Sequence, residues 1–423
     1  MINIAVLGCG VVGSGVCRLI EQNRYDISKR LGDEIFVKKV VELDVARAIE
    51  AGVPEDRVTQ SIDDVLNDDD IKIVVETMGG TDVAFRFMKA CMERKKHIVT
   101  SNKDLVELRW DELTSAAAQN DIDFYFEAAV GGGIPVIGPI KSSLAANRVL
   151  EIVGILNGTT NYILTKMSKD GLGYGEALKL AQKNGFAEFN PASDVSGADA
   201  ARKLAILVRL SFNTNITLDQ IHAVGITEID AHDIETASKM GYTIKLVAMA
   251  SEHDGEICAF VRPALVPNSH PIASVSDEYN AVFIRGDAVD DVMMYGKGAG
   301  SMPTASSVVG DVINVGRNIL KGKRSRTIDL CYENKPVKDV AQISNSFYVR
   351  LDVHDKPHVL EGIAMAFAHN DISIASLVQD PGPDKTASLV IITHPATEHQ
   401  LKAAMDQLMK TDYVSRVNTM IVI

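Results

Sequence analysis

The apolar run Ile2-Asn3-Ile4-Ala5-Val6-Leu7 passes without a break into Gly8-Cys9-Gly10-Val11-Val12-Gly13, and a helix-forming segment over 14–21 follows at once. No other stretch narrows the fold as far. Three glycines in that spacing are weak evidence alone, but between a strand and a helix they permit a tight turn, close helix–strand packing and the near approach of a pyrophosphate. The unpaired N–H groups at the helix start then favour an anion. The pattern therefore predicts a doubly wound α/β sheet that binds a dinucleotide, with Gly8, Gly10, Val11, Val12 and Gly13 around the phosphates.

The next strand is expected over 35–43, later than usual because the polar stretch 23–34 reads as an insertion. Glu42 and Asp44 at its end are the candidates for the adenine ribose. An acid there favours NAD, while Arg47 suits the 2'-phosphate of NADP, so both cofactors stay open. Strands are expected over 71–76 and 97–100, with helices over 61–66 and 82–94. Ligands bind beyond the carboxyl ends of such strands, which points Thr77, Gly79, Asn102 and Lys103 at the cofactor crevice. A further strand over 124–127 ends at Glu127 in a glycine-rich exit, 128–133, followed by Pro135. One carboxylate among exposed carbonyls suits a weakly held alkali cation better than a divalent ion, and a domain-crossing turn without an ion is the alternative.

A second constellation lies farther on. Residues 198–210 are apolar in nearly every helical direction, the signature of a buried helix, yet Asp199 and Lys203 sit on it one turn apart. Glu188 and Asp194 lie just upstream. Charges are rarely buried without a partner or a task, so this cluster reads as a site.

Composition excludes several classes. The chain has 43 Lys and Arg against 56 Asp and Glu, a net charge of -13, which argues against nucleic-acid or anionic-membrane binding. Five scattered cysteines, with no CxxC pair and no zinc spacing, point to a reducing compartment, the cytoplasm. No apolar run nears the roughly 20 residues of a membrane span, and no signal peptide is seen. A chain of 423 residues is expected to hold two or three domains.

The run Asn157-Gly158-Thr159-Thr160-Asn161-Tyr162, the segment from Ala187-Glu188 through Asp194-Val195-Ser196-Gly197-Ala198-Asp199 to Lys203, and Gly298-Ala299-Gly300 with Pro303-Thr304-Ala305 resemble homoserine dehydrogenase. The resemblance covers roughly 2–325. It implies reversible oxidation of L-homoserine to L-aspartate 4-semialdehyde with NAD or NADP, in a homodimer or homotetramer. By position Lys203 and Lys103 match the catalytic lysines, and Glu188, Asp194 and Asp199 the substrate-binding acids. Gly158 and Thr159 match the loop beside substrate and nicotinamide, and Gly298 and Gly300 lie near the cofactor. Glu127 with the backbone oxygens of Val130, Gly132 and Ile134 matches a monovalent-cation site for Na+ or K+. Departures are Asn190 where aspartate is common, Ser101 where alanine is usual, and Leu43 where many members carry arginine near the ribose. The chemistry is coherent, because the cofactor carries the hydride and a lysine whose pKa is lowered by burial and a second cation can manage the proton.

From Ser346 the pattern predicts strands over 347–353, 372–378, 387–393 and 414–423 with helices over 359–369 and 398–410. That βαββαβ order is ferredoxin-like, and with Asp355-Lys356-Pro357-His358-Val359-Leu360 it resembles an ACT domain. Such a domain implies an amino-acid effector, threonine, at the turn after the first strand, but His358 replaces the usual glycine there; a purely dimerising module is the alternative. The expected division is a Rossmann-type dinucleotide-binding domain over 1–135 with 301–325, an α+β substrate and dimerisation domain over 136–300, a linker over 326–345 and the ACT-like domain over 346–423. Nothing long enough for a fused kinase precedes the first strand. Aspartate semialdehyde dehydrogenase is disfavoured because the 157–162 loop lacks a nucleophilic cysteine. A non-catalytic amino-acid sensor on the same fold is disfavoured by the presence of both lysines.

Overall fold

The computed structural model describes residues 1–323 and 333–423. It divides into two compact units: Met1–Glu151 with Arg202–Leu218 and Tyr279–Asn334, and Ile152–Ala201 with Asp219–Glu278 and Lys335–Ile423.

The first unit is built on six parallel strands, β1 (Ile2–Leu7), β2 (Ile35–Val41), β3 (Val58–Thr59), β4 (Ile71–Glu76), β5 (His97–Thr100) and β6 (Phe124–Tyr125), in the order β3-β2-β1-β4-β5-β6. The direction of strand connection reverses between β1 and β4, so the crevice for a dinucleotide opens at their carboxyl ends. Val6, Ile73, Val75 and Val99 are wholly buried, as expected where helices cover both faces of a parallel sheet. Helix Ser301–Leu320 contributes Ala305, Val308, Val312 and Val315 to the same core.

The structure refines three local stretches. The polar insertion 23–34 carries a helix, Arg24–Leu31, that buries Ile27 and Leu31 and ends on Gly32 at φ 85°. The two buried residues lie four apart, one turn, and that sparse apolar stripe was masked by the surrounding charges. The strand expected over 124–127 stops at Tyr125, because Glu127 turns into a short 3-10 helix, Glu127–Ala129. Residues 295–297 close the hairpin strand Asp290–Lys297, where Tyr279 pairs with Lys297.

The second unit is organised by a long antiparallel hairpin, Tyr242–His253 with Glu256–Pro267, paired from Glu256 with His253 to Pro267 with Tyr242. The C-terminal segment has strands Phe347–His354, Ile374–Pro381, Thr386–Thr393 and Val414–Val422 with helices Val359–His369 and Glu398–Leu408, the expected βαββαβ order. Its strands are antiparallel, Val414–Val422 beside Phe347–His354, then Thr386–Thr393 and Ile374–Pro381 at the edge. The second of these runs two to three residues later than its sequence pattern suggests, because its residues are almost all exposed and periodicity is uninformative there. This segment is anchored by a buried carboxylate: Asp233 accepts from Tyr348 Oη at 3.0 Å, Arg350 Nε at 2.7 Å and Thr419 Oγ1 at 2.8 Å.

Of the expected linker, 326–332 lies outside the described residues, as does Cys331. Farther along, the N–H of Ile257 donates to the Pro336 carbonyl and that of Lys338 to the Ile257 carbonyl, both at 2.8 Å. Among the described residues no helix is long and apolar enough to cross a membrane.

Candidate active site

The glycine loop is shaped by backbone crowding. A Cβ at Gly13 would fall 2.0 Å from the Gly8 carbonyl oxygen, and one at Gly8, whose φ is 86°, 2.8 Å from Met78 Cα. Only glycine satisfies both contacts. Gly10 starts the helix Val11–Gln22, and no side chain caps it, so the N–H groups at its start are left for an anion. This cradle fits the pyrophosphate of a dinucleotide.

The neighbouring residues brace it. Thr77 Oγ1 lies 2.8 Å from the Gly8 carbonyl and 3.1 Å from that of Leu7, so this hydroxyl holds the loop. Glu42 accepts from the Cys9 N–H at 2.7 Å and the Asp44 N–H at 3.2 Å. Asp44 caps the helix Val45–Glu50 through the Arg47 N–H. The Arg47 guanidinium reaches within 3.5 Å of where a Gly10 Cβ would sit, so a cation overlooks the phosphate loop. Gly79 and Gly80 take positive φ, and Asn102 Nδ2 donates to the Gly80 carbonyl at 2.7 Å, tying the ends of β4 and β5. Beneath them the fully buried Glu76 accepts from Thr100 Oγ1 at 2.5 Å and the Met78 N–H at 2.8 Å; burial still raises its pKa.

Lys103 opens the helix Lys103–Leu108, which Asn102 caps through the Leu105 N–H at 3.1 Å. Lys203 lies on the helix Ala198–Phe212, which is mostly buried as its composition predicts, with Lys203 itself half-buried. Two ion pairs dock these helices. Arg202 Nε approaches Asp104 Oδ1 at 3.3 Å, and the buried Arg209 donates to the Glu107 carbonyl at 2.8 Å while approaching its carboxylate at 3.5 Å. Each lysine therefore adjoins one member of the Asp104–Arg202 pair, and Lys103 Nζ itself lies 3.4 Å from Asp104. Lys103 and Arg202 thus share the Asp104 carboxylate.

The Glu127 carboxylate accepts three backbone N–H groups, Val136 at 2.6 Å and Ile137 at 2.7 Å on Oε1 and Gly138 at 2.6 Å on Oε2. Its own N–H donates to Asp311 at 2.8 Å, and complete burial holds that aspartate well above the ordinary carboxylate range. A carboxylate offers about four lone-pair sites, so one remains. Ile134 closes a turn onto the Gly131 carbonyl at 2.9 Å, and a Cβ at Gly132 would fall 2.1 Å from the Gly298 carbonyl. The glycine-rich exit and the Gly298–Gly300 segment, widely separated in sequence, are thus packed backbone to backbone.

In the second unit the acids are gathered by a residue the sequence reading did not single out. Asn157 caps the helix Gly158–Asp170 through the Thr160 N–H at 2.8 Å, and its Nδ2 donates to Asp194 at 2.7 Å and Asp199 at 2.8 Å. All four of its hydrogen-bonding capacities are engaged, because Thr160 Oγ1 adds a fourth bond at 2.9 Å. Asp199 is buried and Asp194 half-buried. The sequence signals were its place at the head of the 157–162 run and an amide side chain immediately before a helix start. Thr159 Oγ1 donates to the Phe186 carbonyl at 2.6 Å, and Gln182 to the Glu188 carbonyl at 3.1 Å, so the segment carrying Glu188 lies over this helix. The Glu188 side chain is exposed, whereas the Asn157 amide bonds Asp194 and Asp199.

Residues 8–127 match the NAD-binding domain of homoserine dehydrogenases, 135–313 the homoserine dehydrogenase domain, and 347–412 the ACT domain. The homoserine dehydrogenase of Bacillus subtilis is 38% identical over 99% of this chain and 97% of its own. A homoserine dehydrogenase structure from Thiobacillus denitrificans superposes with a TM-score of 0.92 at 35% identity, covering 100% of this chain and 97% of the other. A hyperthermophilic archaeal homoserine dehydrogenase in complex with NADPH gives a TM-score of 0.63 at 27% identity, over 76% of this chain and 98% of its own.

Proposed function

The chain belongs to the homoserine dehydrogenase family of NAD(P)-dependent oxidoreductases, and from that premise we propose how its own residues carry the interconversion of L-homoserine and L-aspartate 4-semialdehyde. The bound nicotinamide supplies the hydride acceptor. Lys203 takes the proton from the carbinol oxygen, and Lys103, its helix docked by the Asp104–Arg202 pair, keeps positive charge beside that oxygen. Asp194 and Asp199 hold the substrate ammonium, preset by Asn157, with Glu188 closing over it and Gly158 and Thr159 forming the floor. Gly8, Gly10, Val11, Val12 and Gly13 hold the pyrophosphate; Thr77, Gly79, Asn102, Gly298 and Gly300 shape the crevice.

Glu42 and Asp44 already bond backbone N–H groups, whereas Arg47 overlooks the loop, and this supports NADP alongside NAD. Glu127, with one lone pair to spare, and the carbonyls of Val130, Gly132 and Ile134 take a monovalent cation, Na+ or K+. The domain limits given by the sequence describe the division of labour, in a cytoplasmic homodimer or homotetramer. Threonine is the effector proposed for the ACT turn. His358 stands at φ 71°, where glycine is preferred, with Nδ1 bonded to Glu361 at 2.8 Å.

The docking of both lysine-bearing helices onto one charge pair carries this reading. Absorbance at 340 nm with homoserine and each cofactor tests it: turnover with either agrees, and none with both rejects it. The ratio of the two kcat/KM values decides the cofactor preference.

A further inference from the structure

Two acid–arginine contacts join the helix that carries Lys103 to the helix that carries Lys203, and their spacing limits how the two helices can turn. On the helix Lys103–Leu108 the acids are Asp104 and Glu107, three residues apart; on the helix Ala198–Phe212 the arginines are Arg202 and Arg209, seven apart. Both intervals return to roughly the same side of a helix. Asp104 therefore meets Arg202, and Glu107 meets Arg209, across one pair of facing sides within the first compact unit.

The two contacts differ in kind. In the outer one the Arg202 and Asp104 side chains are 30% and 44% exposed, and a pair that open adds little stability. Its carboxylate is divided, with Oδ1 at 3.3 Å from Arg202 Nε and Oδ2 at 3.4 Å from Lys103 Nζ, so it places an ammonium rather than strengthening the fold. The inner contact is buried. Arg209 Nη1 donates to the Glu107 carbonyl at 2.8 Å and Nη2 to the Ile216 carbonyl at 2.7 Å, and the guanidinium lies 5.5 Å over the Trp110 ring. Arg209 thus grips main chain near the end of one helix and beyond the end of its own. Burial raises the Glu107 pKa, and Arg209 and Arg202 oppose that while Asp104 adds to it, so the four charges form one cluster. Fixing register is the best-attested use of a buried ion pair.

One contact between two helices leaves each free to turn about it, whereas two contacts hold the angle. We propose that Asp104–Arg202 and Glu107–Arg209 act together as a two-point clamp that sets the separation of Lys103 and Lys203, with Asp104 and Arg209 as positioning residues. The clamp rests on the roles proposed above for the two lysines. Hydride and proton leave the same carbinol group, so a lysine displaced by about 1 Å loses roughly 100-fold in rate while binding is little changed.

Steady-state kinetics on the full chain test the clamp, with Trp110, the one tryptophan of the sequence, as an optical probe. Arg209→Lys cannot span both carbonyls and should lower kcat roughly 10- to 100-fold, with both KM values within about twofold of the parent. Asp104→Ala, on a half-exposed side chain, should lower kcat about 10-fold, and Asp104→Glu should restore most of it. Combining Arg209→Lys with Asp104→Ala should be little worse than Arg209→Lys alone, because either loss already frees the angle. Acrylamide should quench Trp110 more readily in Asp104→Ala as well as in Arg209→Lys. Additive losses in the double variant, equal rises in both KM values, or unchanged quenching in Asp104→Ala would overturn the proposal. The Asp104 variants keep it decidable if Arg209→Lys does not fold. Normal turnover in Lys203→Ala would instead overturn the lysine roles on which the clamp depends, and the quenching then shows whether the clamp itself holds.

Discussion

Two strand-to-helix junctions in this molecule look alike in sequence and work in opposite ways. At Leu7-Gly8 the chain enters its helix with no side-chain cap, through glycines packed too tightly to admit a Cβ. At Ile155-Leu156-Asn157 the chain enters the helix Gly158–Asp170 with its start closed by Asn157, which also grips two carboxylates. The open junction presents backbone N–H groups and so suits an anionic ligand whose charge needs no side chain. The closed one spends its helix start on its own asparagine, and the charge it offers is the negative charge of Asp194 and Asp199, suited to an ammonium. The glycine-rich entrance is thus left open to an anion, and the other is a scaffold for acids.

In the proposed mechanism neither junction handles the proton, so the largest loss is expected elsewhere. Lys203→Ala should lower kcat by roughly 10² to 10⁴ with both substrate KM values little changed. Near-normal turnover in stopped-flow or steady-state assays would remove the lysine from the reaction. At the open junction, Gly13→Ala places a methyl 2.0 Å from the Gly8 carbonyl and should raise the cofactor KM on the order of 100-fold while sparing that for homoserine. Equal effects on both substrates would mean that the two junctions are not specialised. At the closed junction Asn157→Ala should do the reverse, raising the homoserine KM about 10-fold and costing about 1 to 2 kcal/mol of stability through the lost cap. Asn157→Asp keeps the cap but adds a third negative charge to the cluster, and should be no better than alanine. Glu188→Gln, on an exposed side chain, should raise the homoserine KM several-fold with kcat retained. An unchanged KM would leave ammonium binding to Asn157's two acids alone.

The smallest effect concerns the support of the closed junction. Lys245 donates to Asn161 Oδ1, one turn into that helix, at 3.1 Å, and burial lowers its pKa from 10.5 to about 8. Between those values the folded chain holds fewer protons than the unfolded one, so stability rises as pH rises above about 8. Urea midpoints between pH 8 and 9 should show a gain of at most about 1 kcal/mol from this group, absent in Lys245→Met. A steeper slope in the variant than in the parent chain would reverse the assignment.

Much of the plan was readable locally. The strand, glycine and helix order at the N-terminus, the all-round apolar helix carrying Asp199 and Lys203, and the βαββαβ tail all appear as periodicities within a window of a few turns, which the backbone geometry of helices and strands imposes directly. Arg24–Leu31 escaped that reading because only two of its residues are buried. The edge strand Ile374–Pro381 was misplaced for a related reason, being exposed along nearly its whole length.

Sequence alone therefore settled which residue types were available and which short elements would carry them. Tertiary structure decided what each side chain does there. Asn157 reaches Asp194 and Asp199 across 37 and 42 residues, Arg209 reaches Glu107 across 102, and the Glu127 N–H finds Asp311 across 184. A buried polar group must find its partner wherever the packed chain brings one, and no local pattern records that distance.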